Sequence, residues 1–175
     1  MNRKTFVGLV AVIAVSWAGL AALAASTISG DGKQFLLKEQ PEDAADVIAV
    51  RKGAEDQQAV VVVGRIGGRK NPWIKGVAAF SIVDRSLTPC NEIEGDKCRT
   101  PWDYCCESEL PKATVFVMVV DDEGKTVKQD ARELLGVKEL DTVFIQGKAK
   151  RDKAGNIVVL AARLFIPTEE KETTQ

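Results

Sequence analysis

The chain has 175 residues, of which 45% are hydrophobic and 28% are charged, and its net charge is -1 at pH 7. This composition is typical of one globular domain with appendages and excludes a disordered or strongly charged chain. Histidine is absent, which excludes Ser-His-Asp and Cys-His nucleophilic systems and the usual haem ligand. Residues 26–58 and the residues after Ile166 carry more acidic than basic side chains, which weighs against bulk electrostatic binding of nucleic acid.

Residues 1–25 have the pattern of a targeting segment. Arg3 and Lys4 precede an apolar run from Phe6 to Ala25, and small residues at 22–24 suit a signal peptidase. The run is also long enough to cross a bilayer uncleaved. We therefore expect a signal peptide or, as the alternative, a membrane anchor, which would be the protein's link to a membrane. Both place the rest of the chain outside the cytoplasm, whether periplasmic, secreted or tethered to the outer side of the inner membrane.

Residues 26–58 are predicted to form a linker followed by a short helix. Two glycines and mixed polarity indicate a linker as far as Leu37. Pro41 and the two acidic residues after it favour a helix N-terminus, with the helix ending near Lys52. Its narrow apolar stripe would consist of Ala45, Ile48 and Ala49.

Five later segments have the composition and alternation of β-strands. They are predicted at Ala59–Ile66, Val77–Asp84, Thr114–Val120, Thr142–Lys150 and Ile157–Ile166. Between the third and fourth, Asp130 and Glu133 form a capping box, and Gly136 marks the end of a helix that buries two leucines. Residues 167–175 are expected to be an acidic, disordered tail.

Three strands, a helix and a two-stranded hairpin follow one another in the order of the OB-fold, a five-stranded Greek-key barrel. The segments VVVVGRIGG, AAFSIVD, TVFIQGKAKRD and NIVVLAARLFI resemble the strands of that family. Gly64 and Gly147 fall where a barrel strand must coil sharply. We therefore predict an all-β fold, a barrel with one helix, over residues 59–166, with a cysteine-rich insertion at 85–112 between strands two and three. The TPWDYCC segment resembles one in uncharacterised exported OB-fold proteins of planctomycete bacteria, which implies location and fold but no activity.

The resemblance implies a ligand across strands two and three, between the loop joining strands one and two and the loop joining strands four and five. Both loops are basic, and the first also holds a tryptophan. The predicted binding residues are Arg69, Lys70, Trp73 and Lys75 in the first loop and Lys150, Arg151 and Lys153 in the second. If the loops converge, they form an electropositive rim for an anionic polysaccharide, a protein surface or, more weakly, single-stranded nucleic acid. The alternative is that these residues only solvate exposed loops.

All four cysteines, Cys90, Cys98, Cys105 and Cys106, lie in the insertion. In an oxidising compartment, two disulfides would order it most simply, with Cys90 and Cys98 each bonded to one of the adjacent pair. A metal site is the alternative, in which Asp103 or Glu107 can replace a thiolate, although no Cys-x-x-Cys knuckle is present. A redox-active pair of adjacent cysteines is the third hypothesis. Trp102 and Tyr104 are expected to form a local core beneath the insertion.

The sequence thus predicts a non-enzymatic, extracytoplasmic OB-fold binding or scaffolding module, with an anionic ligand or a protein as its partner. No cofactor is required, apart from a metal ion if the cysteines bind one. The alternative is an exported metal-binding or thiol-redox protein that acts through the loop from Cys90 to Cys106. Bound metal or free thiols in the exported protein would distinguish the second hypothesis from the first.

Overall fold

The structure, a computed structural model, describes residues 30–167. The targeting segment predicted at residues 1–25 and all but the first residue of the predicted tail lie outside the described part of the chain. Among residues 30–167, no helix has the length and apolar character that crossing a membrane requires.

The described chain forms six strands and two α-helices, joined by turns and short 3-10 helices. In chain order they are β1 (Ala45–Asp46), α1 (Val47–Gly53), β2 (Ala59–Ile66), β3 (Ala79–Val83), β4 (Thr114–Val119), α2 (Ala131–Leu135), β5 (Thr142–Arg151) and β6 (Ile157–Phe165). The 3-10 helices are Gly30–Phe35, Cys90–Glu92, Pro101–Asp103 and Leu110–Lys112. All five predicted strands are confirmed as β2 to β6, within two residues at each end.

Five of the strands close into a barrel. The strand order is β1-β2-β3-β4-β6-β5, and β2 also pairs with β5, which closes the ring. Within the ring β4 and β6 are parallel, whereas the other neighbours are antiparallel. This mixed pairing is that of an OB-like barrel. The predicted fold class is therefore confirmed, and β1 is an addition that pairs in parallel with β2.

The helix α2 contributes to the core of the barrel. Ala131, Leu134 and Leu135 are buried among the strand residues, as the sequence predicts for the two leucines. Asp130 caps the helix by accepting a hydrogen bond from the Arg132 N–H, one residue earlier than in the predicted capping box. Gly136 ends the helix in the left-handed conformation, with φ 72°, which glycine adopts at little cost.

Two predictions for the residues before the barrel need correction. The first helix begins at Val47 and not near Pro41, because Ala45–Asp46 pairs with Val62–Val63 as a strand. Its buried residues are therefore Val47 and Val50, not the predicted stripe of Ala45, Ile48 and Ala49. The end of the predicted linker is also packed on the barrel, since Phe35 is in the core and the Leu37 N–H donates to the Leu164 carbonyl at 2.7 Å.

Asp84, directly after β3, joins the barrel to α1. Its carboxylate is buried and accepts hydrogen bonds from the Ile48 N–H at 2.7 Å, and from the Ser86 N–H and hydroxyl. Burial alone would raise the pKa of Asp84, but these hydrogen bonds and the nearby Arg85 charge outweigh it and lower the pKa. Asp84 therefore stabilises the fold fully above its unfolded-state pKa of about 3.9, and this contribution is lost as pH falls through the lower folded-state value.

We expect Asp84→Asn to reduce the free energy of unfolding at pH 7 by about 2 kcal/mol, because charge-assisted hydrogen bonds are lost. The difference from the wild type should shrink below about pH 4, as measured by urea unfolding at several pH values. Asp122→Asn, which alters an exposed carboxylate in the turn after β4, serves as the control. A deficit that stays constant down to about pH 2 would contradict the assigned pKa direction.

Candidate metal centre

The segment from Asp84 to Ala113 joins β3 to β4 and packs back on the barrel through a small core of its own. Its buried members are Val83, Leu87, Tyr104 and Ala113, which is separate from the main core. Tyr104 is fully buried, as expected for the local core. Trp102 is half-buried, and its indole N–H donates to the Lys70 carbonyl at 3.2 Å.

The end of β2 approaches the insertion so closely that glycine is required there. A Cβ on Gly67 would lie 2.5 Å from the Trp102 carbonyl oxygen and 3.0 Å from the Tyr104 ring. The Gly68 N–H donates to the same carbonyl at 2.8 Å. The backbone around Pro101–Asp103 is thus fixed directly on the barrel, which sets the position of the residues that follow.

Two further contacts hold the first cysteine in place. Cys90 is fully buried at the start of a 3-10 helix. Glu92, in the same helix, accepts a hydrogen bond from Arg65 of β2 at 2.9 Å. The Glu107 carboxylate accepts one from the Thr88 N–H at 2.8 Å, so that the two ends of the cysteine segment are joined.

The four thiols gather into one cluster. The Cys105 sulfur lies 3.6 Å from that of Cys90, 3.9 Å from that of Cys98 and 3.9 Å from that of Cys106. A disulfide bond is about 2.05 Å long, and all four cysteines are free thiols in the structure. The Cys105 sulfur is therefore in contact with three other thiols without a bond to any of them, and the predicted pairing into two disulfides is not present in the structure.

Two aspartates face the thiols, each held by the same type of turn. The Asp96 carboxylate accepts from the Cys98 N–H at 2.5 Å, and the Asp103 carboxylate accepts from the Cys105 N–H at 3.0 Å. Asp103 also lies 4.0 Å from the Cys98 sulfur, and Asp96 lies 3.6 Å from the Cys106 sulfur. Two groups of donor atoms result, each with all members within 4.8 Å of one another: Cys90, Cys98, Asp103 and Cys105, and Cys90, Asp96 and Cys106.

Sequence reasoning identified Asp103 as a candidate ligand but missed Asp96. The signal that would have found Asp96 is the repeated Asp-x-Cys spacing, at 96–98 and 103–105. An aspartate side chain commonly accepts a hydrogen bond from the backbone two residues on, so this spacing delivers a carboxylate and a thiol together. Glu107, the other candidate, belongs to neither group of donor atoms and instead binds Thr88.

Neighbouring acidic groups disfavour thiolates in the cluster. Hydrogen bonds with Cys90, Cys98 and Cys106 raise the pKa of the Cys105 thiol far above its usual range. For Cys106, the hydrogen bond with Cys105 lowers the pKa, but desolvation and the nearby Cys90 and Asp96 outweigh it and raise the pKa. A cation among these groups would reverse the effect, since metal coordination deprotonates thiols.

Trp73 is not the exposed aromatic platform that the sequence suggested. It is only 6% exposed, packs against Phe80 with 5.8 Å between ring centroids, and donates its indole N–H to Glu139 at 2.6 Å. The Arg132 guanidinium lies over its ring, 5.4 Å from the centroid. Trp73 is therefore a core residue, because its ring completes the apolar packing against β3.

Arg151 is also engaged within the fold. Its guanidinium donates to the carbonyl oxygens of Arg51, Ala54 and Gly155, at 2.7, 2.9 and 3.0 Å. It thus joins the end of α1 to the β5–β6 hairpin and uses three of its five N–H donors within the fold. Its predicted role in ligand binding stays a prediction.

The other predicted rim residues are exposed: Arg69, Lys70, Lys75, Lys150 and Lys153. The two basic loops that carry them converge only in part. Arg69 lines a groove of about 480 Å³ that Asn156, after β5, also lines. Lys75 instead lines a separate depression beside α2. The two loops therefore share a groove through Arg69, whereas Lys75 is oriented elsewhere.

No family model matches the chain, and no curated protein matches it. Among solved structures, the chain is similar to one described as the hypothetical protein ygiW from E. coli, with 17% sequence identity and a TM-score of 0.38. The alignment covers 73% of this chain and 94% of that chain. The resemblance of the TPWDYCC segment to planctomycete proteins stays a prediction.

Proposed function

We propose that this protein is an extracytoplasmic, barrel-based binding module whose insertion holds a thiophilic metal ion through Cys90, Cys98, Asp103 and Cys105. The observation that carries the proposal is the spacing of the sulfur atoms. A tetrahedral zinc ion with Zn–S bonds of about 2.3 Å separates its sulfur ligands by about 3.8 Å. The measured separations from Cys105 to Cys90 and Cys98 are 3.6 and 3.9 Å.

The four donors are positioned independently by the fold. Cys90 is buried and held to β2 through Glu92, while Asp103 and Cys105 flank the buried Tyr104. Cys98 is held by the turn that Asp96 forms. Ligands ordered in this way bind a metal ion with little further loss of conformational entropy. Three thiolates and a carboxylate favour zinc among the abundant divalent ions, because magnesium and calcium prefer oxygen ligands only.

In this proposal the metal ion orders the insertion, a role that the sequence assigned to two disulfides. It would cross-link the start, middle and end of an insertion that otherwise rests on a small core. The extracytoplasmic location is supported by the signal-like N-terminal sequence and stays part of the proposal. Zinc binding would keep the cysteines reduced in an oxidising compartment, because a metal-bound sulfur is less available for thiol–disulfide exchange.

The test is a metal analysis of the full chain, purified from its native host and alkylated before and after reduction. We expect four reduced cysteines, of which the metal protects the three ligands Cys90, Cys98 and Cys105 from alkylation, with zinc retained through gel filtration. Cys98→Ser should weaken zinc binding by more than roughly 100-fold, since even outer-shell partners of a metal contribute about 10–100-fold. Glu107→Gln, in the same insertion but outside both groups of donor atoms, is the matched control. Four oxidised cysteines, together with a reduced protein that binds no zinc, would refute the proposal.

A second candidate ligand is an anionic chain in the groove lined by Arg69 and Asn156. The observation that favours it is the convergence of the β2–β3 and β5–β6 loops on this groove. We expect polygalacturonate to bind there, and Arg69→Ala to weaken binding several-fold in a fluorescence titration at low salt. Lys75→Ala, which changes a basic residue of the same loop in a different depression, should have a smaller effect. Equal effects of the two variants would mean that only overall charge matters.

A further inference from the structure

The cluster holds more donor atoms than one tetrahedral ion can use. Besides Cys90, Cys98, Asp103 and Cys105, it contains the Cys106 thiol, 3.9 Å from the Cys105 sulfur, and the Asp96 carboxylate, 3.6 Å from the Cys106 sulfur. These two donors form their own group with Cys90, within 4.8 Å of one another. Cys90 is thus the member common to both groups.

We infer that the cluster binds two thiophilic divalent ions that share the Cys90 sulfur as a bridging ligand, an inference that rests on the proposed function. The first ion has four protein ligands: Cys90, Cys98, Asp103 and Cys105. The second has three, namely Cys90, Asp96 and Cys106, and a coordination position open to water or another ligand. With metal–sulfur bonds of about 2.3 Å, a shared sulfur keeps the two ions within about 4.6 Å of each other.

Burial supports Cys90 as the bridge. It is the one fully buried cysteine of the four, whereas Cys105 and Cys106 are exposed and Cys98 is half-buried. A buried sulfur held between two groups of donors can contact an ion on each side. The exposed pair reaches these ions from the solvent side, one sulfur for each group.

Charge is compatible with two ions. The Cys106 thiol donates to the Asp96 carboxylate at 3.6 Å, and a second divalent ion would take the place of that proton, since metal coordination deprotonates thiols. With all six donors ionised, four thiolates and two carboxylates carry six negative charges, of which two divalent ions neutralise four.

The two Asp-x-Cys turns explain how the groups interleave. The turn at Asp96 directs its carboxylate to the second group and the Cys98 thiol to the first. The turn at Asp103 directs both its carboxylate and the Cys105 thiol to the first. One segment therefore serves both ions, so that binding of the first orders a ligand of the second.

The experiment is an anaerobic titration of the reduced full chain with Cd²⁺, followed by thiolate–metal charge-transfer absorbance and native mass spectrometry. We expect two Cd²⁺ per chain, the second bound more weakly because it has three protein ligands. Cys106→Ser and Asp96→Asn should each reduce this to one ion. Cys106→Ser should leave the affinity of the first ion within about threefold, since Cys106 is not its ligand, whereas Asp96→Asn also alters the turn that holds Cys98. Glu107→Gln should still bind two.

The ¹¹³Cd NMR spectrum then tests the bridge. Two resonances coupled through a shared sulfur are expected, and the coupling should be absent in Cys90→Ser. A single tightly bound Cd²⁺ in the wild type would overturn the inference while sustaining the proposed function. Two uncoupled resonances would also overturn it. If no Cd²⁺ binds, the proposed function itself fails.

Discussion

Gly147→Ala is expected to destabilise the protein by about 4 kcal/mol or more, which is exceptional for the addition of one methyl group. A Cβ at this position would lie 2.0 Å from the Leu160 carbonyl oxygen and 3.0 Å from the Ala161 Cα. Both are backbone atoms of β6, so no side-chain rotation can relieve the overlap. The β5–β6 register shifts between Gln146 and Gly147, which is the irregularity that brings the two backbones so close.

The measurement is thermal unfolding followed by far-UV circular dichroism, and a decrease in Tm of more than about 10 °C is expected. Gly53→Ala is the matched control, because a Cβ there would meet nothing within 4 Å. Gly53 ends α1, so alanine should leave stability unchanged or raise it slightly. Similar losses in the two variants would show that the loss of glycine flexibility, and not the close approach to β6, is responsible.

Tyr104→Ala is expected to cost about 3–5 kcal/mol, the range for removing a fully buried aromatic side chain. Tyr104 is the largest member of the small core beneath the insertion, and it follows Asp103 and precedes Cys105. The cavity left by its ring would release both residues from the barrel. We therefore expect the proposed zinc binding to weaken together with stability, because the donor atoms would no longer be held in place.

Tyr104→Phe separates the ring from the hydroxyl. The hydroxyl is buried and makes no hydrogen bond within the described structure. Burial raises the pKa of Tyr104 and outweighs the lowering effect of the nearby Arg65. Removing an unpaired buried hydroxyl should leave stability within about 1 kcal/mol of the wild type or improve it. Urea unfolding measures both variants. A phenylalanine variant as unstable as the alanine variant would mean that the hydroxyl has an essential partner.

Much of the barrel could be predicted because its signals are local. Short apolar runs bounded by turn residues, such as Thr114–Val119, and the glycine and proline that end strands depend on neighbours in the sequence. Gly147 was also predicted correctly as a position where a barrel strand coils. The start of α1 was predicted wrongly, because the pairing of Ala45–Asp46 with β2 is a tertiary contact that overrides a local helix signal.

The candidate site was predicted less completely, for the same physical reason. Composition and spacing located the cysteines, and they identified Asp103 as a replacement ligand. They placed Trp73 and Arg151 in a binding rim, where the structure shows a core ring and a guanidinium bound to three carbonyls. Residue type indicates what a side chain can do, but its partners come from strands and loops far away in the chain.

The sequence by itself determined the positions of the strands along the chain, the absence of histidine chemistry and the presence of all four cysteines in one insertion. Only the tertiary structure decided that the thiols meet at 3.6 to 3.9 Å with two aspartates beside them. That geometry depends on the end of β2, where Gly67, directly after the strand, admits the Trp102 backbone and Arg65 holds Glu92. Contacts between such distant segments form only when the barrel closes, which is why local patterns do not reveal them.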